Sequence, residues 1–200
     1  MRGSLRDLVL SRLGHTGQVI SSIGYFPEAL ASDLVTNGPA SAVPLIATRG
    51  FVTHEPSQRR AAGVLVYGVD DRFWRFHGLE PRDGVFVSPA LGAGLGAEPG
   101  DVLLTRLQKP SEIPIESLFA HKDDLGRTVR LTVTGSLPAL ELGEFSVQPQ
   151  QAEVRAVFAP LRRLQRDLRV DRKANSVLIA ASTSEAAGSR AFPSGVTLED

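Results

Sequence analysis

Two histidines in this sequence lie close to acidic residues, an arrangement that acid–base catalysis and metal binding both use. His77 follows the pair Asp70–Asp71. His121 precedes the pair Asp123–Asp124. A metal centre or catalytic site needs further converging groups, and each histidine falls in a separate turn-like segment. We therefore interpret both groups as solvated turn residues and helix caps, and we predict no catalytic residue and no metal ligand.

A glycine-rich run has the letters of a dinucleotide-binding fingerprint. Gly92, Gly94 and Ala97 stand at its spacing, and Val85–Val87 before them is predicted to be a strand. A working fingerprint opens a long helix whose amino terminus holds the pyrophosphate. Here Pro99–Gly100 ends any helix within a few residues. We interpret the run as a short helix packed closely through small residues, and we predict no cofactor in this domain.

Two other patterns bear on chemistry. A serine or cysteine nucleophile has no signature, because the chain contains no Gly-x-Ser-x-Gly elbow and no cysteine. The arginine-rich stretch Arg162–Arg172 is a candidate contact for phosphate or an acidic partner. Asp167 and Asp171 are interleaved in it, which favours a solvated helix face. The residues alone therefore favour a binding or mechanical role over catalysis.

The composition limits the class of protein. A length of 200 residues with 42% hydrophobic residues suits one domain, or one domain with an inserted subdomain. The net charge is zero, which argues against a nucleic-acid binder. No apolar run reaches the ~18 residues that a membrane span requires. Met1–Gly14 is amphipathic and lacks the apolar core of a signal peptide.

The stretch Val64–Leu79 concentrates more large apolar surface than any other part of the chain and holds its single tryptophan. It begins as an apolar strand, and the pair Asp70–Asp71 then predicts the cap of a short helix. Phe73, Trp74 and Phe76 follow in that helix. We predict that at least two of these three aromatic side chains are buried and that no convergent polar site surrounds the acidic pair.

Strands and helices alternate along the whole chain, which predicts an α+β fold. The predicted helices are Ser4–Leu13, Pro27–Val35, a short one from Pro89 with Ser88 as its cap, and Pro160–Leu168. The predicted strands are Gln18–Ile23, Pro44–Val52, Ala62–Val69, Val85–Val87, Asp101–Leu107, Arg127–Gly135, Val154–Ala159 and Ser176–Ala181. The opening strand–helix–strand order indicates a βαβ or split βαβ unit.

Five segments of the chain, taken together and in the order in which they occur, indicate a family resemblance. They are Ser4–Gly14, Val64–Leu79, Gly84–Leu107, Arg127–Pro138 and Val154–Leu168. Together they resemble the MacB-like periplasmic core domain of FtsX/MacB-type ABC transporter permeases. Three family patterns, V-x-G-V-D, V-x-V-S/N-x-x-L-A-x-x-L-G-x-x-x-G-D and V-F-x-P-L-x-x-L-Q, look like Val66–Asp70, Val85–Asp101 and Val157–Gln165. Gly92 stands where the second pattern has alanine.

The resemblance implies a domain organisation. Residues 15–59 and 150–182 would form a membrane-proximal, βαβ-type, porter-like part, and residues 60–149 an inserted, mainly β, sabre-like subdomain. Residues 1–14 would be a helix continuing from a transmembrane helix that this sequence lacks. Residues 183–200 would be a flexible linker with a truncated end.

The resemblance also implies a function. The domain would lie on the periplasmic or extracellular side of the inner (cell) membrane and pass ATP-driven motion to a substrate or partner outside, with no catalysis of its own. Its implied partners are a separate ATPase domain or subunit, a second permease in a homodimer or heterodimer, and an extracytoplasmic protein, but no nucleic acid. The alternative is a stand-alone soluble α+β enzyme or ligand-binding domain with an unrecognised site.

One insertion departs from the family pattern. Gln108–Asp124 is longer than expected and carries an apolar patch of its own. We predict that this patch docks on the inserted part or on a neighbouring protomer. Its members are Ile113, Ile115, Leu118 and Phe119.

Overall fold

The computed structural model describes residues 12–36, 41–107, 127–148, 150 and 152–180. Its strands are β1 (Thr16–Pro27), β2 (Ala42–His54), β3 (Arg60–Val69), β4 (Val85–Val87), β5 (Val102–Leu107), β6 (Thr128–Ser136), β7 (Ala156–Pro160) and β8 (Lys173–Ala180). Its helices are α1 (Leu30–Thr36), α2 (Asp71–Phe76), α3 (Pro89–Leu95) and α4 (Leu161–Leu168), with a 3-10 turn at Ala139–Glu141. The fold is therefore a mixed α/β one dominated by its strands.

Six of the strands close into a barrel. The sheet order is β1-β8-β2-β3-β7-β4-β6-β5, and β5 pairs again with β2. Two of the barrel pairings are parallel, β3 with β7 and β4 with β6. The other four are antiparallel. Closure means that each of these six strands has a hydrogen-bonded neighbour on both sides, which removes the barrel's open edges.

Strand β2 belongs to two layers at once. Its first half, Ala42–Leu45, pairs with β8, whereas its second half pairs with β3 and β5 inside the barrel. Strands β1 and β2 are both antiparallel to β8, which lies between them. This is the split βαβ arrangement predicted for the opening of the chain. Strand β2 thus joins the β1–β8–β2 layer to the barrel without a break.

The predicted division of the chain at residues 60 and 149 remains a prediction. Strand β3 follows the first boundary, and it lies between β2 and β7, which come from the two segments assigned to the porter-like part. The hydrogen-bonded sheet therefore continues across that boundary.

Strands β3 and β7 separate two hydrophobic cores. Val64 and Val66 of β3 point into the barrel, where helices α3 and α4 also contribute leucines. Leu65 and Tyr67 alternate with them and point into a second core that is rich in aromatic rings. Both faces of β3 are buried, which explains the continuous apolar run that the sequence shows there.

Helix α3 begins and ends where its capping residues predict. Ser88 is the N-cap, Pro89 follows at the first helical position, and Gly96 closes the helix in the left-handed conformation with φ of 66°. The Ser88 hydroxyl accepts hydrogen bonds from the N–H groups of Leu91 (3.3 Å) and Ala156 (2.9 Å). Ser88 therefore both caps α3 and connects it to β7.

Replacing Ser88 by alanine is expected to lower the free energy of unfolding by about 1–3 kcal/mol, because two buried N–H donors lose their acceptor. The measurement is urea unfolding followed by circular dichroism. Ser32→Ala on α1 is the matched control, since Ser32 is exposed, and we expect its effect to stay within about 0.5 kcal/mol. Equal effects of the two substitutions would contradict the assigned role of Ser88.

The largest error in the predicted elements lies at Pro27. The predicted helix Pro27–Val35 is wrong at its start, because Pro27 is the last residue of β1 and pairs with Lys173. A proline at the end of an outer strand gives up no ladder hydrogen bond that the strand needs. Helix α1 then starts at Leu30. The predicted strand Gln18–Ile23 is correspondingly too short.

Candidate functional site

Helix α2 anchors the aromatic core. Phe73 and Trp74 are 0% and 1% exposed, and Phe76 is partly buried, which confirms the prediction that at least two of the three are buried. Phe73 meets Trp74 edge to face at 5.2 Å between ring centroids and Phe145 at 5.3 Å. Edge-to-face contacts of this kind add to the stabilisation from burial. The aromatic residues of Val64–Leu79 therefore have a structural role.

The acidic pair before α2 is only partly as predicted. Asp70 is the N-cap, and its carboxylate accepts from the N–H of Arg72 at 3.0 Å. However, polar groups do converge on it: Arg72 bonds Asp70 at 2.6 Å and Glu28 at 3.3 Å. Glu28 in turn accepts from the buried Gln165 of α4 at 3.2 Å. The prediction that no convergent polar site surrounds the acidic pair is therefore wrong for Asp70. The network connects α2, α4 and the segment that contains Glu28, and Asp71 lies outside it.

His77 lies directly after α2 and is buried among aromatic rings. It is 7% exposed, with Phe73 and Phe145 at 4.8 and 5.3 Å between ring centroids. Its Nδ1 accepts a hydrogen bond from the His15 N–H at 3.2 Å, and its Nε2 has no partner among the described residues. Burial, assisted by His15, lowers the pKa of His77 to about 4. His77 is therefore a neutral core residue.

The start of the described chain is fastened to α2. His15 places its Nδ1 3.0 Å from the carbonyl oxygen of Phe76, in addition to its backbone bond to His77. Gly14 has a positive φ of 57°, and a Cβ there would lie 2.6 Å from the His77 Nδ1. Only glycine allows this close approach.

Arg12 fastens the same segment to a second region. It is 8% exposed. Its Nη1 donates to the carbonyl oxygens of Gln150 at 2.7 Å and Ala152 at 3.2 Å, and its Nε pairs with Glu144 at 3.3 Å. The N–H of Ser146 donates to the Arg12 carbonyl oxygen at 3.2 Å. We refer to Arg12 and His15, with these contacts, as the amino-terminal clamp.

Replacing Arg12 by alanine is expected to lower the free energy of unfolding by about 2 kcal/mol, because two partly buried carbonyl groups lose a charged donor. Amide hydrogen exchange of Glu144–Ser146 should accelerate most, since that segment is tied to Arg12. Arg75→Ala is the matched control: the Arg75 side chain is 66% exposed, and its one ion pair within the described residues is with Asp71. If both variants were equally stable, the clamp would not contribute to the fold.

The structure reveals one constellation that the sequence patterns missed. His54 is 2% exposed. Its Nδ1 lies 2.7 Å from the Ser57 Oγ, and its Nε2 lies 3.0 Å from the Asp101 Oδ2. The order serine, histidine, aspartate is that of a nucleophilic triad. No local signal could have indicated it, because Asp101 comes 47 residues after His54.

This constellation lacks the other parts of a hydrolytic site. The Ser57 hydroxyl also donates to the Leu95 carbonyl oxygen at 3.1 Å. The two neighbouring backbone N–H groups are taken, since that of Gln58 donates to His54 and that of Arg59 to Ser57. Neither is free to stabilise an oxyanion. We interpret the group as a structural link between the β2–β3 turn, the end of α3 and the start of β5.

Some of the other candidate residues lie within the described part of the chain, and others lie outside it. Gly92 and Gly94 lie inside α3, and Ala97 follows its capping glycine. Across the described ranges, no cluster of three or more His, Cys, Asp and Glu side chains could hold a metal ion. In those ranges no helix is long and apolar enough to cross a membrane. The group around His121 lies outside the described residues, as do Ile113, Ile115, Leu118 and Phe119, so the predicted docking patch stays a prediction.

Comparison with known proteins gives structural matches alone. No protein-family model matches the chain, and no curated protein does. The chain is similar to the extracellular domain of the noncanonic ABC-type transporter YknZ from Gram-positive bacteria, with a TM-score of 0.49, 11% identity and coverage of 80% of this chain and 76% of that one. It is also similar to the periplasmic region of MacB from Actinobacillus actinomycetemcomitans, with a TM-score of 0.49, 11% identity and coverage of 92% and 84%. Both similarities are thus to periplasmic or extracellular domains, at low sequence identity.

Proposed function

We propose that this chain is the extracytoplasmic domain of an ABC transporter permease of the FtsX/MacB type. In this role it passes ATP-driven motion to a substrate or partner outside the membrane and performs no catalysis. The observation that carries the proposal is the amino-terminal clamp, which binds the start of the described chain to α2 and to the segment around Glu144–Ala152.

The position of the chain ends suits a domain held from one side. Thr16 of β1 pairs with Ala180 of β8, so the two ends of the described chain lie next to each other. A displacement of the segment before Thr16 would act on the aromatic core through His15 and Arg12. Strand β2 would carry that displacement into the barrel, because its two halves pair with β8 and with β3.

The three family patterns also fold in a consistent way, which supports the proposal. Each one begins in a strand and continues into a short helix. Val66–Asp70 leads from β3 into α2, Val85–Asp101 contains β4 and α3, and Val157–Gln165 leads from β7 into α4. Residues of all three contribute to the two cores, so these patterns specify architecture. The ATPase domain or subunit, a second permease protomer and an extracytoplasmic protein are the partners that we propose.

The proposal predicts on which side of the membrane this domain lies, and labelling of a single cysteine tests that prediction. The chain contains no cysteine, so a single Leu140→Cys, at a position that is 99% exposed, provides one label site in this domain. It is placed in the full-length protein made by its natural host. We expect a membrane-impermeant maleimide to label residue 140 in intact cells whose outer envelope has been permeabilised.

The control is Leu95→Cys, a position that is 1% exposed and should react only after denaturation. Reaction of residue 140 only after lysis of the inner membrane would place the domain in the cytoplasm. That result would overturn the proposal and favour the alternative of a stand-alone enzyme or ligand-binding domain.

A further inference from the structure

Five of the eight residues that line a cleft between α4 and the start of β6 are arginines. The volume of the cleft is about 340 Å³. Five arginines and one carboxylate face it: Arg127, Arg130, Arg163, Arg166, Arg169 and Asp167. The chain as a whole has 22 basic and 22 acidic residues. Five of the 22 basic residues therefore surround one cleft, which favours the binding of an anion there.

Three of the five arginines are held in position by groups of the protein. Arg163 pairs with Asp167 at 2.6 Å and donates to the Arg130 carbonyl oxygen at 3.0 Å. Arg127 donates to the Asp167 carbonyl oxygen. Arg130 pairs with Glu55 at 2.8 Å. Asp167 and Glu55 thus pair with two of the five arginines, and within the described residues the other three have no carboxylate partner.

The two remaining arginines have their donors available. Arg166 and Arg169 are exposed. Their side chains make no hydrogen bond or ion pair within the part of the chain that the structure describes. A guanidinium group binds phosphate and carboxylate through two parallel N–H donors, which lysine does not offer. We infer that this cleft binds a small, soluble anion that carries phosphate groups.

The size and position of the cleft support a small soluble ligand. Its volume is at the lower end of the range for small-molecule sites, which starts at about 300 Å³. Helix α4 is followed by Lys173, the first residue of β8, which pairs with Pro27. This pair lies at the other end of β8 from the Thr16–Ala180 pair. If the domain is anchored through its chain ends, the end of α4 that lines the cleft lies towards the side away from the membrane. This last step rests on the proposed function.

The test is calorimetric titration of the full 200-residue chain with inorganic pyrophosphate at low ionic strength. We expect saturable binding that weakens as salt is added, because the contacts are ionic. The double variant Arg166→Glu with Arg169→Glu should weaken binding by at least about tenfold. Both residues are exposed, so unchanged thermal unfolding is expected and will show that the variant is folded.

The control is Arg60→Glu with Arg75→Glu, which changes the net charge equally at two exposed positions outside the cleft. Its affinity for pyrophosphate should stay within about twofold of the parent chain. Absence of saturable binding, or equal weakening in both double variants, would overturn the inference.

Co-sedimentation with vesicles of phosphatidylglycerol shows whether the cleft recognises a lipid headgroup or a soluble ligand. Co-sedimentation that depends on Arg166 and Arg169 and that pyrophosphate does not displace would overturn the inference in favour of a membrane surface. No co-sedimentation, together with pyrophosphate binding, is the expected result. Because binding is measured in solution and membrane sidedness in cells, the inference and the proposed function can fail separately.

Discussion

Replacing Phe73 by alanine is expected to lower the free energy of unfolding by about 4 kcal/mol, more than any other single substitution that we predict for this protein. Phe73 is 0% exposed and contacts the rings of Trp74, His77 and Phe145. Its removal leaves a cavity among these rings that the surrounding side chains refill only in part. The measurement is urea unfolding followed by the fluorescence of Trp74, the single tryptophan of the chain.

Phe51→Ala is the matched control for this substitution. Phe51 is a phenylalanine of strand β2 and not of a helix, but it is 51% exposed, and we expect its loss to cost less than about 1 kcal/mol. A similar cost at both positions would mean that the aromatic core around α2 is not the anchor that its geometry indicates.

Acidification is expected to destabilise the protein through His77, by about 2 kcal/mol between pH 8 and pH 5. The pKa of His77 is about 4 in the folded chain, against an ordinary value of 6.5. Above the ordinary value the ring is neutral in both states and stability is unaffected. As the pH falls below it, the unfolded chain binds a proton that the folded chain refuses, so the unfolded state is favoured.

The variant His77→Phe isolates this contribution. It retains an aromatic ring among Phe73, Phe76 and Phe145 and removes the titrating group. We expect the difference between the parent chain and the variant to grow steadily as the pH falls from 8 to 5. The carboxylate Asp101, whose pKa is lowered by the Glu98 N–H and by His54, loses its contribution only in more acidic solution. A pH-independent difference would contradict the assigned state of His77.

Local sequence signals predicted the parts of the fold that depend on neighbouring residues. The start of helix α3 is correct because Ser88 and Pro89 specify it locally, and Pro99–Gly100 kept the predicted helix short, although the structure ends it at Gly96. Strand β6 is correct to within a residue at each end because its valines and leucine alternate with polar residues. The cap at Asp70 follows from the same kind of signal.

Contacts between distant segments could not be predicted in this way. Arg12 lies in the predicted amphipathic helix Ser4–Leu13, yet its side chain is buried and donates to the carbonyl oxygen of Ala152, 140 residues further along. His54 and Asp101 meet only because β5 closes the barrel on β2. Strand β1 was shortened in the prediction because most of its residues are exposed, so it lacks the apolar alternation by which strands are recognised.

The strand shared between the two layers has a consequence for how the domain comes apart. Neither the β1–β8 pair nor the barrel can separate from the other at a loop, since the connection is the hydrogen-bonded β2 itself. Local opening of one layer therefore removes pairing partners from the other. We therefore expect the two layers to open together, as one cooperative unit with no hinge at β2.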